Sequence, residues 1–306
     1  MKKVIIILLT IAALAIAGVF IFIPSKIKVS SATVVLANEL ASHRILMDEA
    51  NWAKWWPNEK VFQLDKTSFK LTQKMLNGFE LEISGKGEPV ASQLMILPMA
   101  SDSIKLSWSC DIESGNDPLK RISGYNRASV IKKDLDKLLQ SLAKFLSDQR
   151  NIYGFEIKEM KVTDSVLVST RKTFDHYPDE FQTEEMIQKL RRYIKKNNAK
   201  EMSYPMLHIR EVDSLHFEAM TAIATDIKLP DNNEFASKMV LKGGNLLEAP
   251  VTGGHATIRK GFIEYENAMK EYSWTSPAIP YQLIITDRIK ERDTTRWVTI
   301  LCYPVF

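Results

Sequence analysis

The sequence predicts an α+β protein in three parts: an N-terminal transmembrane helix, an antiparallel sheet with a long helix, and a second mixed domain built twice over. Three observations carry this. Val4 to Ile23 is a run without a charged residue. Residues 68–84 and 104–112 alternate apolar and polar, the period of half-buried strands, and residues 125 to 150 then switch to the three- and four-residue steps of an amphipathic helix. Beyond that helix, an order of strands, helix and strands recurs at about 155–225 and 235–304, which we read as an internal duplication.

Composition bounds the reading. The chain has 306 residues, 45% hydrophobic and 25% charged, ordinary for packed globular structure and enough for about two domains. Forty-one basic residues against 37 acidic give a net charge of +4, well mixed along the chain. With no long basic run and no nucleic-acid motif, DNA and RNA are not expected partners. Cys110 and Cys302 are the two cysteines, distant in sequence and each within a strand pattern. They read as small buried hydrophobes rather than a metal or redox pair.

Residues 1–26 form the predicted anchor. Twenty helical residues span about 30 Å, the thickness of a bilayer core. A cleaved signal peptide with Ala15-Ile16-Ala17 as its small-residue site is the alternative. The apolar run continues through Phe20-Ile21-Phe22-Ile23, which favours an uncleaved signal anchor. Lys2 and Lys3 against Lys26 and Lys28 give a slight bias toward a cytoplasmic N-terminus, placing the body on the periplasmic side.

Residues 27–150 form the first domain. Ile27 to Leu36 is a β-branched strand, and residues 37–51 one or two short helices. Trp52-Ala53-Lys54-Trp55-Trp56-Pro57 packs three tryptophans into one corner, as a core anchor or as a pocket wall. Phe69, Leu71 and Met75 alternate with polar residues; Asn77-Gly78 is a hairpin signal; Phe79, Leu81 and Ile83 alternate again. After a turn at Gly85-Lys86-Gly87 come an apolar run from Val90 to Met99 and an alternating strand from Ile104 to Ile112. The helix from Tyr125 to Arg150, about 37 Å long, carries Ile131, Leu135, Leu138, Leu139 and Leu142 on its apolar stripe.

This order of strand, short helices around the tryptophan corner, five or so antiparallel strands and a long helix resembles the SRPBCC (START/polyketide-cyclase-like, helix-grip) superfamily over residues 27 to 150. The passage Trp108-Ser109-Cys110-Asp111-Ile112-Glu113-Ser114-Gly115-Asn116-Asp117-Pro118-Leu119-Lys120-Arg121 is similar to the strand-to-helix passage of bacterial members. The resemblance implies a curved sheet around the helix and an apolar cavity for lipids or other hydrophobic ligands. Trp56, Met95, Leu97, Trp108 and Leu139 are the candidate cavity residues, with domain core as the other reading.

Residues 153–306 form the second domain. Strands are expected at 155–158 and 164–170, a helix from Pro178 to about Lys196 with acids early and bases late, and strands at 204–210, 215–225 and 235–241. Leu246 to Val251 and His255 to Lys260 read as further strands, Gly261 to Ser273 as a helix, and 281–287 and 296–304 as strands. The segments His255-Ala256-Thr257-Ile258-Arg259-Lys260-Gly261-Phe262, Tyr265-Glu266-Asn267-Ala268-Met269 and Pro280-Tyr281-Gln282-Leu283-Ile284 look like the GyrI-like small-molecule-binding family, the effector-binding domain of some bacterial transcription activators. The resemblance implies a duplicated β-α-β-β fold with a ligand groove between its halves. Where family members commonly carry a groove-facing Glu, this chain has Gln282. An amide keeps the hydrogen bonding and loses the charge, which argues against cation binding and against the hydrolase activity of some members.

Catalytic motifs are missing from the sequence: no G-x-S-x-G, H-E-x-x-H, Walker loop or G-x-G-x-x-G. His208 and His216 could approach across a hairpin through Asp213, but a zinc site needs a further ligand. No metal or cofactor is expected. Trp274, Tyr265, Tyr193, Phe174 and Gln282 are the candidate groove residues, aromatic walls around one polar group. The leading expectation is a membrane-anchored, non-catalytic protein that binds hydrophobic or small-molecule ligands, with the membrane engaged through residues 4–23. A GyrI-like hydrolase, or a regulatory module binding another envelope protein, are the alternatives. The sequence identifies no protein partner. No helix-turn-helix precedes the effector-like domain, so a transcription factor is not expected.

Overall fold

The computed structural model describes residues 2–164 and 166–306. The chain divides into two compact units, 1–148 and 149–306, each built on one antiparallel sheet curled as a half-barrel.

Unit 1 opens with α1 (Lys2–Phe22), none of whose described residues is buried. It is long and apolar enough to cross a membrane. Then come β1 (Lys26–Leu36), α2 (Glu39–Met47), α3 (Trp52–Trp55), β2 (Gln63–Leu64), β3 (Thr67–Met75), β4 (Gly78–Gly85), β5 (Gly87–Ala100), β6 (Ser103–Glu113) and α4 (Pro118–Leu146). The sheet order is β1-β6-β5-β4-β3-β2, a meander whose last long strand folds back beside the first. In register, Trp108 of β6 stands opposite Ser31 of β1 and Leu94 of β5. The Ser31 hydroxyl donates to the Asp136 carboxylate of α4 at 2.5 Å, so this face of the sheet is the one that meets the helix. Ile131, Leu135, Leu138, Leu139 and Leu142 are buried along α4.

The long helix begins at Pro118, not at Tyr125. Pro118 sits in the first turn, and the Asp117 carboxylate accepts from the backbone N–H groups of Leu119 and Lys120. These are local start signals that an apolar periodicity count passes over. It ends at Leu146, and α5 (Gln149–Tyr153) takes the residues that the sequence pattern had merged with it. The hairpin is also displaced by one residue: Met75 pairs with Gly78, leaving Leu76-Asn77 as the turn. Gly78 is needed for space, because a Cβ there would lie 2.2 Å from the Leu94 carbonyl oxygen.

Unit 2 continues with β7 (Lys158–Lys161), β8 (Val166–Phe174), α6 (Glu180–Lys196), β9 (Met206–Asp213), β10 (His216–Ala224), β11 (Ala236–Met239), β12 (Asn245–Thr252), α7 (His255–Glu271), β13 (Tyr281–Ile284) and β14 (Val298–Val305). The sheet order is β11-β8-β10-β9-β13-β14-β12-β7. The two halves, β8-α6-β9-β10 and β12-α7-β13-β14, have the same internal pairing and meet where β9 pairs with β13. Each half lends its leading strand to the far edge of the other, β7 on β12 and β11 on β8.

The expected strand from His255 to Lys260 is instead the first turns of α7. Thr257 and Ile258 imitate strand alternation, but Ile258, Gly261, Tyr265, Ala268 and Met269 recur at helical spacing and are the residues that become buried. A Cβ on Gly261 would meet the Leu301 side chain at 2.8 Å, so glycine here lets α7 lie close on the sheet. The helix at α6 starts with a capping box. Asp179 accepts from the Gln182 N–H while the Gln182 side chain accepts from the Asp179 N–H.

Candidate functional site

Directly paired residues of an antiparallel sheet point to one face. Gln282 pairs with Leu207 of β9 on one side and Leu301 of β14 on the other. Leu207 belongs to the core under α6, together with Met186, Ile187, Leu190 and Ile194, and Leu301 lies against α7 at Gly261. Gln282 therefore occupies the helix-covered face at the junction of the halves, 4% exposed. Thr221 shares that row, paired with Leu207 from the other side.

The partner of Gln282 comes from the segment between β13 and β14. Arg288, itself 6% exposed, donates through Nη2 to the Gln282 side-chain oxygen and to the Thr299 hydroxyl, both at 2.9 Å. Its guanidinium lies 5.1 Å from the centre of the Trp297 ring. Trp297 is held in turn by its indole N–H on the Glu291 carbonyl, 2.7 Å, and meets His255 edge to face at 5.3 Å. His255 packs edge-on to Tyr177 at 5.8 Å, and Tyr177 to Phe217 at 5.7 Å. His255 opens α7 and Glu180 opens α6, and His255 Nε2 stands 3.7 Å from the Glu180 carboxylate. The N-terminal turns of both helices thus meet beside Arg288.

The electrostatics follow from burial. Desolvation lowers the Arg288 pKa to about 10, partly offset by Tyr177 and Glu180, so it remains protonated at neutral pH. Burial first, and then the Arg288 charge, hold His255 below the usual imidazole range. Burial raises the Tyr177 phenol. Three polar atoms here are enclosed and have no hydrogen-bond partner among the described residues, Arg288 Nε and Nη1 and His255 Nε2; Thr221 Oγ1, two strands away across Leu207, is another such atom.

Of the groove residues expected from sequence, Gln282 lies in this cluster. Tyr265 is fully buried on α7, touching Tyr303 at 4.6 Å and Phe155 at 5.5 Å. Phe174 is in the core beneath α6. Tyr193 stacks on Phe235 at 4.4 Å and borders an open cleft of about 720 Å³ beside α6, along which Lys189, Arg192 and Lys196 also lie. Trp274 stacks on Tyr272 at 4.5 Å past the C-terminal end of α7, the end opposite His255. In unit 1, Trp56 and Trp108 are joined through Phe69, at 5.5 and 5.8 Å, and Leu139 is buried on α4. Met95 and Leu97 do not join them. Leu94 pairs with Trp108, so strand alternation turns Met95 and Leu97, both half-buried, to the opposite face.

Sequence reasoning missed Arg288, Thr299 and Trp297. Arg288 lies in Asp287-Arg288-Ile289-Lys290-Glu291-Arg292-Asp293, a charged stretch with the composition of a solvated loop. Its one available signal was the nearby tryptophan. As for a metal, His208 faces Met220 in register and lies 2.7 Å from the Pro280 carbonyl, whereas His216 turns to Asp213. No group of three metal-ligating side chains occurs among the described residues.

No family model and no curated protein matches the chain. Among solved structures it is similar to the EcmrR C-terminal domain, at 11% identity over 50% of this chain and 98% of that one, TM-score 0.42. It is also similar to a hydrolase from Listeria innocua, at 11% identity over 49% and 92%, TM-score 0.38. A third is SAV2435 bound to tetraphenylphosphonium, at 13% identity over 49% and 94%, TM-score 0.32.

Proposed function

We propose that this chain is a membrane-anchored, non-catalytic small-molecule-binding protein. Its second unit is a GyrI-like module that takes ligand over Gln282, where its two halves meet. Its first unit is an SRPBCC-like module gripping α4, and α1 is the anchor, with the body on the periplasmic side. The observation that carries the binding reading is the enclosed polar cluster of Gln282, Arg288, Thr299 and His255, in which Arg288 Nε and Nη1 have no hydrogen-bond partner among the described residues. Buried polar atoms are nearly always paired, and a set of unpaired ones at the junction of two halves suits a ligand. The non-catalytic part rests on chemistry. The Gln282 amide neither takes up nor gives a proton, and Arg288 stays protonated at neutral pH, so neither is an acid–base pair for hydrolysis.

The test is to purify the full chain in lipid nanodiscs, identify co-purifying small molecules by mass spectrometry, and measure thermal shifts with a panel of hydrophobic compounds, tetraphenylphosphonium among them. A bound molecule or a saturable shift is expected. Neither appearing would sink the reading.

A further inference from the structure

The charge of the ligand can be argued further, resting on the binding reading just given. Arginine has five N–H donors, two of them on Nη2. Those two go to Gln282 and Thr299, and the three donors on Nε and Nη1 are enclosed without partners among the described residues. Among the described residues no carboxylate oxygen lies within salt-bridge distance of the guanidinium. Glu180, the nearest acid to the cluster by its contacts, faces His255 instead and is itself part-exposed. A buried cation with neither a counter-ion nor full hydrogen bonding is strongly disfavoured unless something supplies both.

Both helix N-termini beside Arg288 add to the positive potential, which Glu180 offsets only in part. The α7 N-terminus, whose Gly254 cap offers no side chain, opens beside Arg288 through His255, and the α6 N-terminus meets it there. Asp179 spends its carboxylate on the capping box. His255 Nε2 is a further enclosed group able to donate. Around these groups stand Trp297, Tyr177 and Phe217, an aromatic border.

We propose that this site binds an organic anion: a small aromatic or apolar molecule carrying a carboxylate, whose oxygens take up Arg288 Nε and Nη1, while its body lies against Trp297 and Tyr177. Gln282 then serves as a neutral brace for the guanidinium. An acidic residue in its place would neutralise Arg288 internally and compete with the ligand.

The experiment titrates the full chain in nanodiscs with benzoate, benzamide, benzylamine and inorganic phosphate by calorimetry. Benzoate should bind, benzamide at least tenfold more weakly, and benzylamine not at all. R288Q should abolish benzoate binding. Q282E, a nearly isosteric change, should weaken it at least tenfold while near-ultraviolet dichroism stays native. Benzylamine binding as tightly as benzoate, or R288Q leaving benzoate affinity unchanged, would overturn the proposal. Phosphate binding as tightly as benzoate would overturn the part assigned to the aromatic border. Benzamide or benzylamine binding without benzoate would leave the binding reading standing and remove the anion. No binding by any of the four, together with no shift in the wider panel, would remove both.

Discussion

Gly124 of α4 lies so close to Ser114 that a Cβ on the glycine would stand 2.6 Å from the serine Cβ and 2.8 Å from its Cα. Ser114 is no free loop residue. Its hydroxyl donates to the Pro24 carbonyl at 2.5 Å and its N–H to the Ser25 carbonyl at 2.8 Å. The start of α4 is therefore pressed onto the junction where α1 passes into β1. Arg121 reinforces the junction, donating to the Ile23 carbonyl at 2.6 Å with its guanidinium 4.6 Å from the Phe20 ring. Because the neighbouring atoms are the Ser114 Cα and the Cβ fixed to it, they cannot swing aside. Gly124→Ala should destabilise unit 1 by about 1–3 kcal/mol, the usual range for forced overpacking, despite alanine's better helix propensity. Urea unfolding followed by the tryptophans of unit 1 checks this; an unchanged or raised midpoint would contradict it.

Asp134 is buried on α4, 3% exposed, and accepts from the Thr67 hydroxyl at 2.7 Å. Desolvation raises its pKa, with the Thr67 hydrogen bond opposing. A carboxyl whose folded pKa lies above its unfolded value, about 3.9, adds no penalty below that pH. The penalty grows as pH rises through the folded value. Asp134→Asn keeps an acceptor for Thr67 and removes the charge. Its melting temperature should exceed that of the parent at pH 7, and the gap should close toward pH 4. A gap that does not change with pH would show that the charge is not what burial penalises.

Tyr265 is fully buried with its hydroxyl lacking a partner among the described residues, and burial pushes its pKa far up. Its ring packs between Phe155 and Tyr303. Removing an unpaired buried hydroxyl while keeping the ring should be neutral or stabilising by about 1 kcal/mol, whereas losing the ring should cost about 3–5 kcal/mol. Tyr265→Phe against Tyr265→Ala in chemical denaturation separates the two. A phenylalanine variant as damaged as the alanine one would mean the hydroxyl holds something, such as a bound molecule, and would tie Tyr265 to ligand.

What could be read from sequence divides along physical lines. The apolar run of α1, the alternation of β3 to β6 and the buried stripe of α4 are period signals, and periodicity needs no knowledge of the fold. Element ends depend on single residues instead: Asp117 and Pro118 start α4, and the crowding of Gly78 by Leu94 shifts the hairpin. The first turns of α7 were misread because Thr257 and Ile258 carry strand character in a helix decided by packing on Leu301. Of the enclosed polar cluster, Gln282 could be singled out from sequence because residues 280–284 resemble a family segment. Arg288 could not. Nothing local distinguishes a buried arginine from its charged neighbours Lys290 and Arg292; its place follows from Gln282 and Thr299 lying diagonally on one face of β13 and β14, Gln282 opposite Leu301 and Thr299 two residues before it.

His255 offers a test of the cluster that needs no ligand. The imidazole meets the rings of Tyr177 and Trp297, feels the Arg288 charge, and has Glu180 and Asp179 as its nearby acids. Burial and Arg288 lower its pKa against the opposing pull of the two acids. A base whose folded pKa lies below its unfolded value, about 6.5, contributes stability that is complete above that pH. The contribution is lost as pH falls through the folded value, because the unfolded chain takes up the proton first. His255→Gln removes the titration while keeping a polar side chain. The melting temperature of the parent relative to this variant should therefore drop between pH 8 and pH 5, by an amount that grows as the pH is lowered. A difference that rises on acidification would mean that Glu180 dominates and that His255 is held charged, and the positive end of the cluster would then extend from Arg288 to the imidazole itself.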